Sequence, residues 1–222
     1  MAKVSDQVNN LNSYKLTMDL QGGNGTSSVS AKGDGQYQRN PLALSFNFST
    51  FTAAGLNVPG VKMVVANNNI YMSLGDLTGG KWVKLDASSQ LGSIVNQVNQ
   101  IDPNKQLRLL LSSKDTKLVG TETVDGSATT HYTSTVNVND LASISGLDQS
   151  SVDQLRQAFQ QSGVTSITYD LWIDNNFAPR QIKATTPSAL GNITVTMHIS
   201  DINKPVSVTA PSDSDLTTFP GM

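Results

Sequence analysis

The 222-residue sequence contains no cysteine, which excludes disulfides and thiolate metal ligands together. Charge is scarce as well. Charged residues make up 14% of the chain, 15 Lys and Arg against 17 Asp and Glu, for a net charge of −2. Nucleic-acid binding needs a clustered basic face, and no such cluster is present. Glutamate occurs once, as Glu122, so paired-carboxylate chemistry would have to draw on aspartates. No apolar run approaches the ~18 residues that a membrane-crossing helix requires. No leader segment is recognisable. Met1-Ala2 runs straight into a helix-like stretch, a start expected to follow trimming of a leader.

Serine, threonine, asparagine and glutamine replace the missing charge. They supply roughly a third of the chain, well above ordinary usage, and suit exposed strand faces outside the cell. The clearest pattern lies at residues 41–52, where Leu42, Leu44, Phe46 and Phe48 recur at every second position. Period two predicts a strand with one apolar and one polar face. The same period marks 13–21 (Leu16, Met18, Leu20), 27–39, 61–66 (Val61, Met63, Val65), 69–75 (Ile70, Met72, Leu74) and 82–85. It resumes at 115–124, 128–138, 164–174, 178–186 and 192–202, followed by a short extended piece at 205–209. Gly33 and Gly35 share one face of the second strand and predict a bulge or tight coiling there. Asn67-Asn68-Asn69, Asp125-Gly126 and Asp174-Asn175-Asn176 carry turn chemistry and predict hairpins.

Helical spacing interrupts this series. Val4, Val8 and Leu11 predict a lead-in helix over 3–12, and Leu91, Ile94, Val95, Val98 and Ile101 one over 89–101. Asp102-Pro103 opens another, over 103–111. Asp148 and Gly163 bracket a helix at 148–162 with Val152, Leu155 and Phe159 as its stripe. The expected fold class is α+β: a single strongly curved antiparallel sheet of about ten strands, with helices covering its concave face. One domain is expected over 1–222, with 1–12 as an N-terminal helix or tether and 210–222 as a tail.

Several segments, in order along the chain, resemble the LppX/LprA/LprF/LprG lipoprotein family of actinobacterial cell envelopes. They are Ser13-Tyr14-Lys15-Leu16-Thr17-Met18-Asp19-Leu20, Val119-Gly120-Thr121-Glu122-Thr123-Val124-Asp125-Gly126, Leu171-Trp172-Ile173-Asp174 with Pro179-Arg180, and Pro205-Val206 to Pro211. The resemblance implies a half β-barrel with helices at its mouth, similar in shape to the LolA and LolB carriers. It also implies a hydrophobic cavity for a lipid or acylated glycolipid. Family members are anchored through an N-terminal lipidated cysteine. Its absence here is expected to reflect trimming, which places the natural protein outside the cytoplasm on the outer face of the cell membrane.

Catalytic signatures are missing. There is no Gly-x-Ser-x-Gly elbow, and neither His131 nor His198 has an acid at recognisable spacing, so both are read as ordinary strand residues. Gly22-Gly23-Asn24-Gly25 and Gly79-Gly80 open no helix and are turn glycines, not a phosphate loop. The expectation is therefore a protein that is not an enzyme, without cofactor or metal, acting as a monomer on a lipid or glycolipid ligand. The expected cavity lining is Leu44, Phe46, Phe48, Met63, Val65, Ile70 and Met72 from strands, with Leu91, Ile94, Val95 and Val98 from the helix at 89–101. An apolar face reads the same whether filled or empty. A protein-interaction or sensor-accessory module with a packed core is therefore the alternative from sequence.

Overall fold

The computed structural model describes residues 10–23, 28–53, 55–67, 69–85, 115–138, 149–187 and 191–218. The chain forms two compact units of interleaved segments: Leu11–Asp19, Val29–Asp102 and Ile199–Met222 in one, and Met1–Asn10, Leu20–Ser28 and Pro103–His198 in the other.

In the first unit the strands β1 (Ser13–Gly22), β2 (Val29–Gln38), β3 (Ala43–Ala53), β5 (Val61–Ala66), β6 (Asn69–Leu74) and β7 (Trp82–Leu85) lie side by side in that order. The two-residue β4 (Leu56–Asn57) folds back on β3. Asn67, at φ 54, turns β5 into β6 as its side-chain chemistry predicts. β5 and β6 are buried on both faces. One of those faces carries Val64, Ala66 and Tyr71. The C-terminal segment covers it: Val208, Ala210 and Leu216 pack there with Trp82, and β13 (Leu216–Thr217) pairs with β7. That segment is fastened at its start to β1. Asn203 N–H donates to the Ser13 carbonyl at 2.7 Å, Ser13 Oγ to the Lys204 carbonyl at 2.6 Å, and Lys15 Nζ meets Asp201 at 2.8 Å. Midway, Ser207 N–H donates to Gln36 Oε1 on β2 at 3.3 Å. Residues 201–217 are thus a strap across this unit, not a free tail.

In the second unit β8 (Lys117–Val124), β9 (Ser127–Asn137), β10 (Ser166–Asp174), β11 (Pro179–Thr186) and β12 (Ile193–Ser200) follow one another as antiparallel neighbours. Leu171 opposes Ile182 and Ile182 opposes Met197, and all three are fully buried. Tyr169 lies on the same face, where burial pushes its phenol up to about 12. Asp125-Gly126, both at positive φ, close the β8–β9 hairpin.

The expected class needs correcting. The described residues are nearly all strand, and no helix among them covers a concave sheet face. Thirteen strands replace the expected ten or so, and β13 runs parallel to β7 where only antiparallel pairing was expected. The one α-helix among the described residues is α1 (Gln149–Ser162), within the span expected. Its sequence, with Val152, Leu155 and Phe159 set among glutamines and serines, carries too narrow an apolar stripe to roof a sheet. The helices expected at 3–12, 89–101 and 103–111 lie largely or wholly outside the described residues.

Candidate functional site

Strand register brings the seven expected strand residues to one face of the first unit. Leu44 opposes Val65 and Phe46 opposes Met63 across β3 and β5. Val65 opposes Ile70 and Met63 opposes Met72 across β5 and β6. Phe48 follows Phe46 by two and shares its side, with ring centroids 4.7 Å apart. Val83 and Leu85, paired to Met72 and Ile70, extend the face onto β7.

Towards β2 this face meets a window with no side chains. Gly35 opposes Phe46 and Gly33 opposes Phe48, with a register shift just before Gly33. A β-carbon on Gly35 would stand 2.6 Å from Phe46 Cδ2 and 2.5 Å from the Ser45 carbonyl oxygen. One on Gly33 would stand 2.6 Å from Phe46 Cε1 and overlap the Asn47 carbonyl. The Phe46 ring therefore lies flat over the glycine backbone, only 4% exposed. Beyond the window, Tyr37 stacks on Tyr14 with centroids 4.8 Å apart and closes the apolar face on β1. Leu91, Ile94, Val95 and Val98, the helical part of the expected lining, lie outside the described residues.

The second unit presents chemistry that sequence reasoning missed. Both histidines have acid partners, contrary to expectation. His131 Nδ1 lies 2.8 Å from Glu122 Oε1 and its Nε2 lies 3.0 Å from Asp170 Oδ1. The imidazole stacks on Trp172 with centroids 4.1 Å apart, and Trp172 Nε1–H donates to Glu122 Oε2 at 2.9 Å. The indole hydrogen bond, then His131, holds the Glu122 carboxyl below its usual range. His198 Nδ1 sits 2.8 Å from Asp125 Oδ2. Hairpin arithmetic was the available signal. Closing the chain at Asp125-Gly126 puts Glu122 opposite Thr129, two residues from His131 on the same face. With both ring nitrogens of His131 facing carboxylates, neither is turned to a serine as a hydrolase would need. Among the described residues no group of three or more His, Cys, Asp or Glu is placed to hold a metal ion.

Sequence comparison decides the family. The LppX_LprAFG lipoprotein model matches residues 1–208. The chain belongs to the LppX_LprAFG lipoprotein family. Among curated relatives of this LppX_LprAFG protein, an uncharacterized 31.2 kDa protein of Streptomyces griseus is 32% identical over 167 residues, covering 68% of this chain and 54% of that protein. Lipoprotein LprA of Mycobacterium tuberculosis is 26% identical over 180 residues, 80% of this chain and 66% of LprA. The chain thus matches between about half and two thirds of the length of these relatives. Among solved structures, lipoprotein LppX of Mycobacterium tuberculosis superposes with a TM-score of 0.56 at 19% identity, covering 94% of this chain and 95% of that one. LprF of Mycobacterium bovis gives 0.56 at 17%, with 95% and 94% covered. At such identities these two neighbours speak to the fold.

Proposed function

We propose that this lipoprotein is a non-enzymatic carrier of the cell envelope that holds a lipid or acylated glycolipid against the apolar face of β3, β5 and β6. The observation that carries this reading is the continuous run of Leu44, Phe46, Phe48, Met63, Val65, Ile70 and Met72 on one side of three paired strands. Two methionines in that run are unbranched and adapt to chains of different shape. Removing a lipid from a bilayer costs about 0.8 kcal/mol per methylene, on the order of 12 kcal/mol for one chain. Hydrogen bonds at about 1 kcal/mol each cannot supply that. Apolar area dominates affinity, and headgroup contacts tune selectivity. Leu91, Ile94, Val95 and Val98 are proposed to complete the lining from the segment 89–101. That segment would act as a lid between Gly79-Gly80 and its own far end. The family and this chemistry together support a location outside the cytoplasm, with an N-terminal lipid anchor in the natural protein.

Native mass spectrometry with lipid extraction tests the reading, on protein recovered from the membranes of its own host. Wild type is expected to carry lipid, and Val98→Trp, which places an indole in the proposed lining, is expected to carry less. Empty wild type, or unchanged loading of the variant, would overturn the assignment and favour a packed interaction module.

A further inference from the structure

Two leucines project at one end of the first unit without packing to justify them. Leu56 is 71% exposed and Leu77 61% exposed. The turn before Leu56 and the turn bearing Leu77 lie beyond the same end of β5 and β6, since Val61 opposes Leu74. The two loops touch: a β-carbon on Gly75 would overlap the Pro59 carbonyl and stand 3.4 Å from Gly60 Cα.

The Leu77 turn is firmly built. Residues Gly75–Thr78 form a single 3₁₀ turn, and buried Thr78 accepts from Leu74 N–H at 3.2 Å while its hydroxyl lies 2.8 Å from the Lys81 carbonyl. With Thr78 fixed inward, the neighbouring Leu77 is held outward. A leucine kept in water by a rigid turn is pre-organised for an apolar partner. Single exposed leucines are ordinary, but these two have company. Lys62, Lys81 and Lys84 follow closely in sequence at this end of β5 and β7; all are exposed, and none has an ion-pair partner. Asp76 is the acidic residue of the same turn. On a chain whose net charge is −2, this end is locally basic.

We propose that Leu56 and Leu77, with Lys62, Lys81 and Lys84 behind them, dock this end of the unit on an anionic phospholipid bilayer. The leucines enter the interfacial layer and the ammonium groups meet lipid phosphates. Bilayer docking stands apart from lipid carriage, since it needs only exposed loops and a charged surface.

Sedimentation of the full chain with phosphatidylglycerol–phosphatidylcholine vesicles, against phosphatidylcholine alone, tests it. Wild type is expected to partition to the anionic vesicles. L56S/L77S should weaken that partition about tenfold or more. K62Q/K81Q should weaken it about fivefold per lysine and remove its salt dependence. Leu118→Ser, at an equally exposed leucine of the other unit, should change nothing. Thermal melts confirm that each variant folds, and lipid content by mass spectrometry is read on the same samples. Loss of docking with lipid content unchanged keeps the two readings separate. No partition of wild type, partition equal on neutral vesicles, or equal partition of folded L56S/L77S would overturn the proposal. A protein partner would then be the occupant to seek.

Discussion

The face of β3, β5 and β6 and the face that bears His131 on β9 and β10 are both made by alternate residues of paired strands, yet they solve opposite problems. On the first, apolar side chains oppose one another across each ladder, Phe46 to Met63 and Met63 to Met72, and β2 contributes bare backbone under Phe46. On the second, a cationic side chain sits between two carboxylates with an indole beneath. Shape limits the first, because nothing but close packing holds it. Hydrogen-bond partners limit the second, because each group there must be satisfied or lose its solvation. The two faces should therefore respond to different perturbations.

The largest effect is expected at the glycine window. Phe46→Ala should destabilise by about 3–4 kcal/mol, since it removes a buried ring from a site that cannot collapse. Gly35→Ala should cost about 2 kcal/mol by forcing that ring away. In the double variant the two costs should fall short of their sum by at least about 0.5 kcal/mol, as the methyl enters the space the ring vacated. Chemical denaturation of the four proteins checks this, and strict additivity would mean that Phe46 does not depend on the window.

A middle-sized effect is expected at the charged face. His131→Phe keeps an aromatic ring on Trp172 but leaves Glu122 and Asp170 without their shared donor, for a loss of about 1–2 kcal/mol. Because Glu122 is the only glutamate, selective labelling gives one side-chain carboxyl resonance to titrate. That carboxyl should move up towards its ordinary range in His131→Phe and further up in Trp172→Phe, the indole being the stronger influence. The reverse order would show that the imidazole is the main support.

The smallest effect is electrostatic and belongs to the strap. Lys15 and Lys204 hold the Asp201 carboxyl down at about 2, from an ordinary value of 3.8. A lowered pKa means that the unfolded chain takes up the proton first. The contribution is thus present above about pH 4 and is lost as the pH falls towards 2. Asp201→Asn should flatten that part of the stability profile while leaving the window variants' costs unchanged at neutral pH.

What could be read from sequence divides along similar lines. Turn chemistry at Asn67, Asp125-Gly126 and Gly163 placed two hairpins and the end of α1, because these residues act on their immediate neighbours. Alternation set the side of each strand on which Leu44, Phe46 and Met63 fall. The expectation of helices over a concave face failed because it rested on how elements pack, to which periodicity is blind. The His131 cluster was half legible. Glu122 follows from the hairpin, but Asp170 and Trp172 arrive from a strand some forty residues away and needed the β9–β10 register. The strap was hidden because Val208, Ala210 and Leu216 stand singly among serines, aspartates and prolines, with no period to betray them.

That strap imposes an order of events. Its bonds join Asn12 and Ser13 to Asn203 and Lys204, partners 191 positions apart, and its last contact is made by Leu216 and Thr217. Closing so long a loop is entropically late and slow, because nearer pairings form before it. A nascent chain can zip β2 through β7 from local hairpins. The outer side of β5 and β6, with Val64 and Tyr71, then stays wet until the final twenty or so residues have left the ribosome. Until then the unit has an open apolar back as well as an open apolar front. The strap is what makes the two sides unequal, and it does so only once synthesis is all but finished.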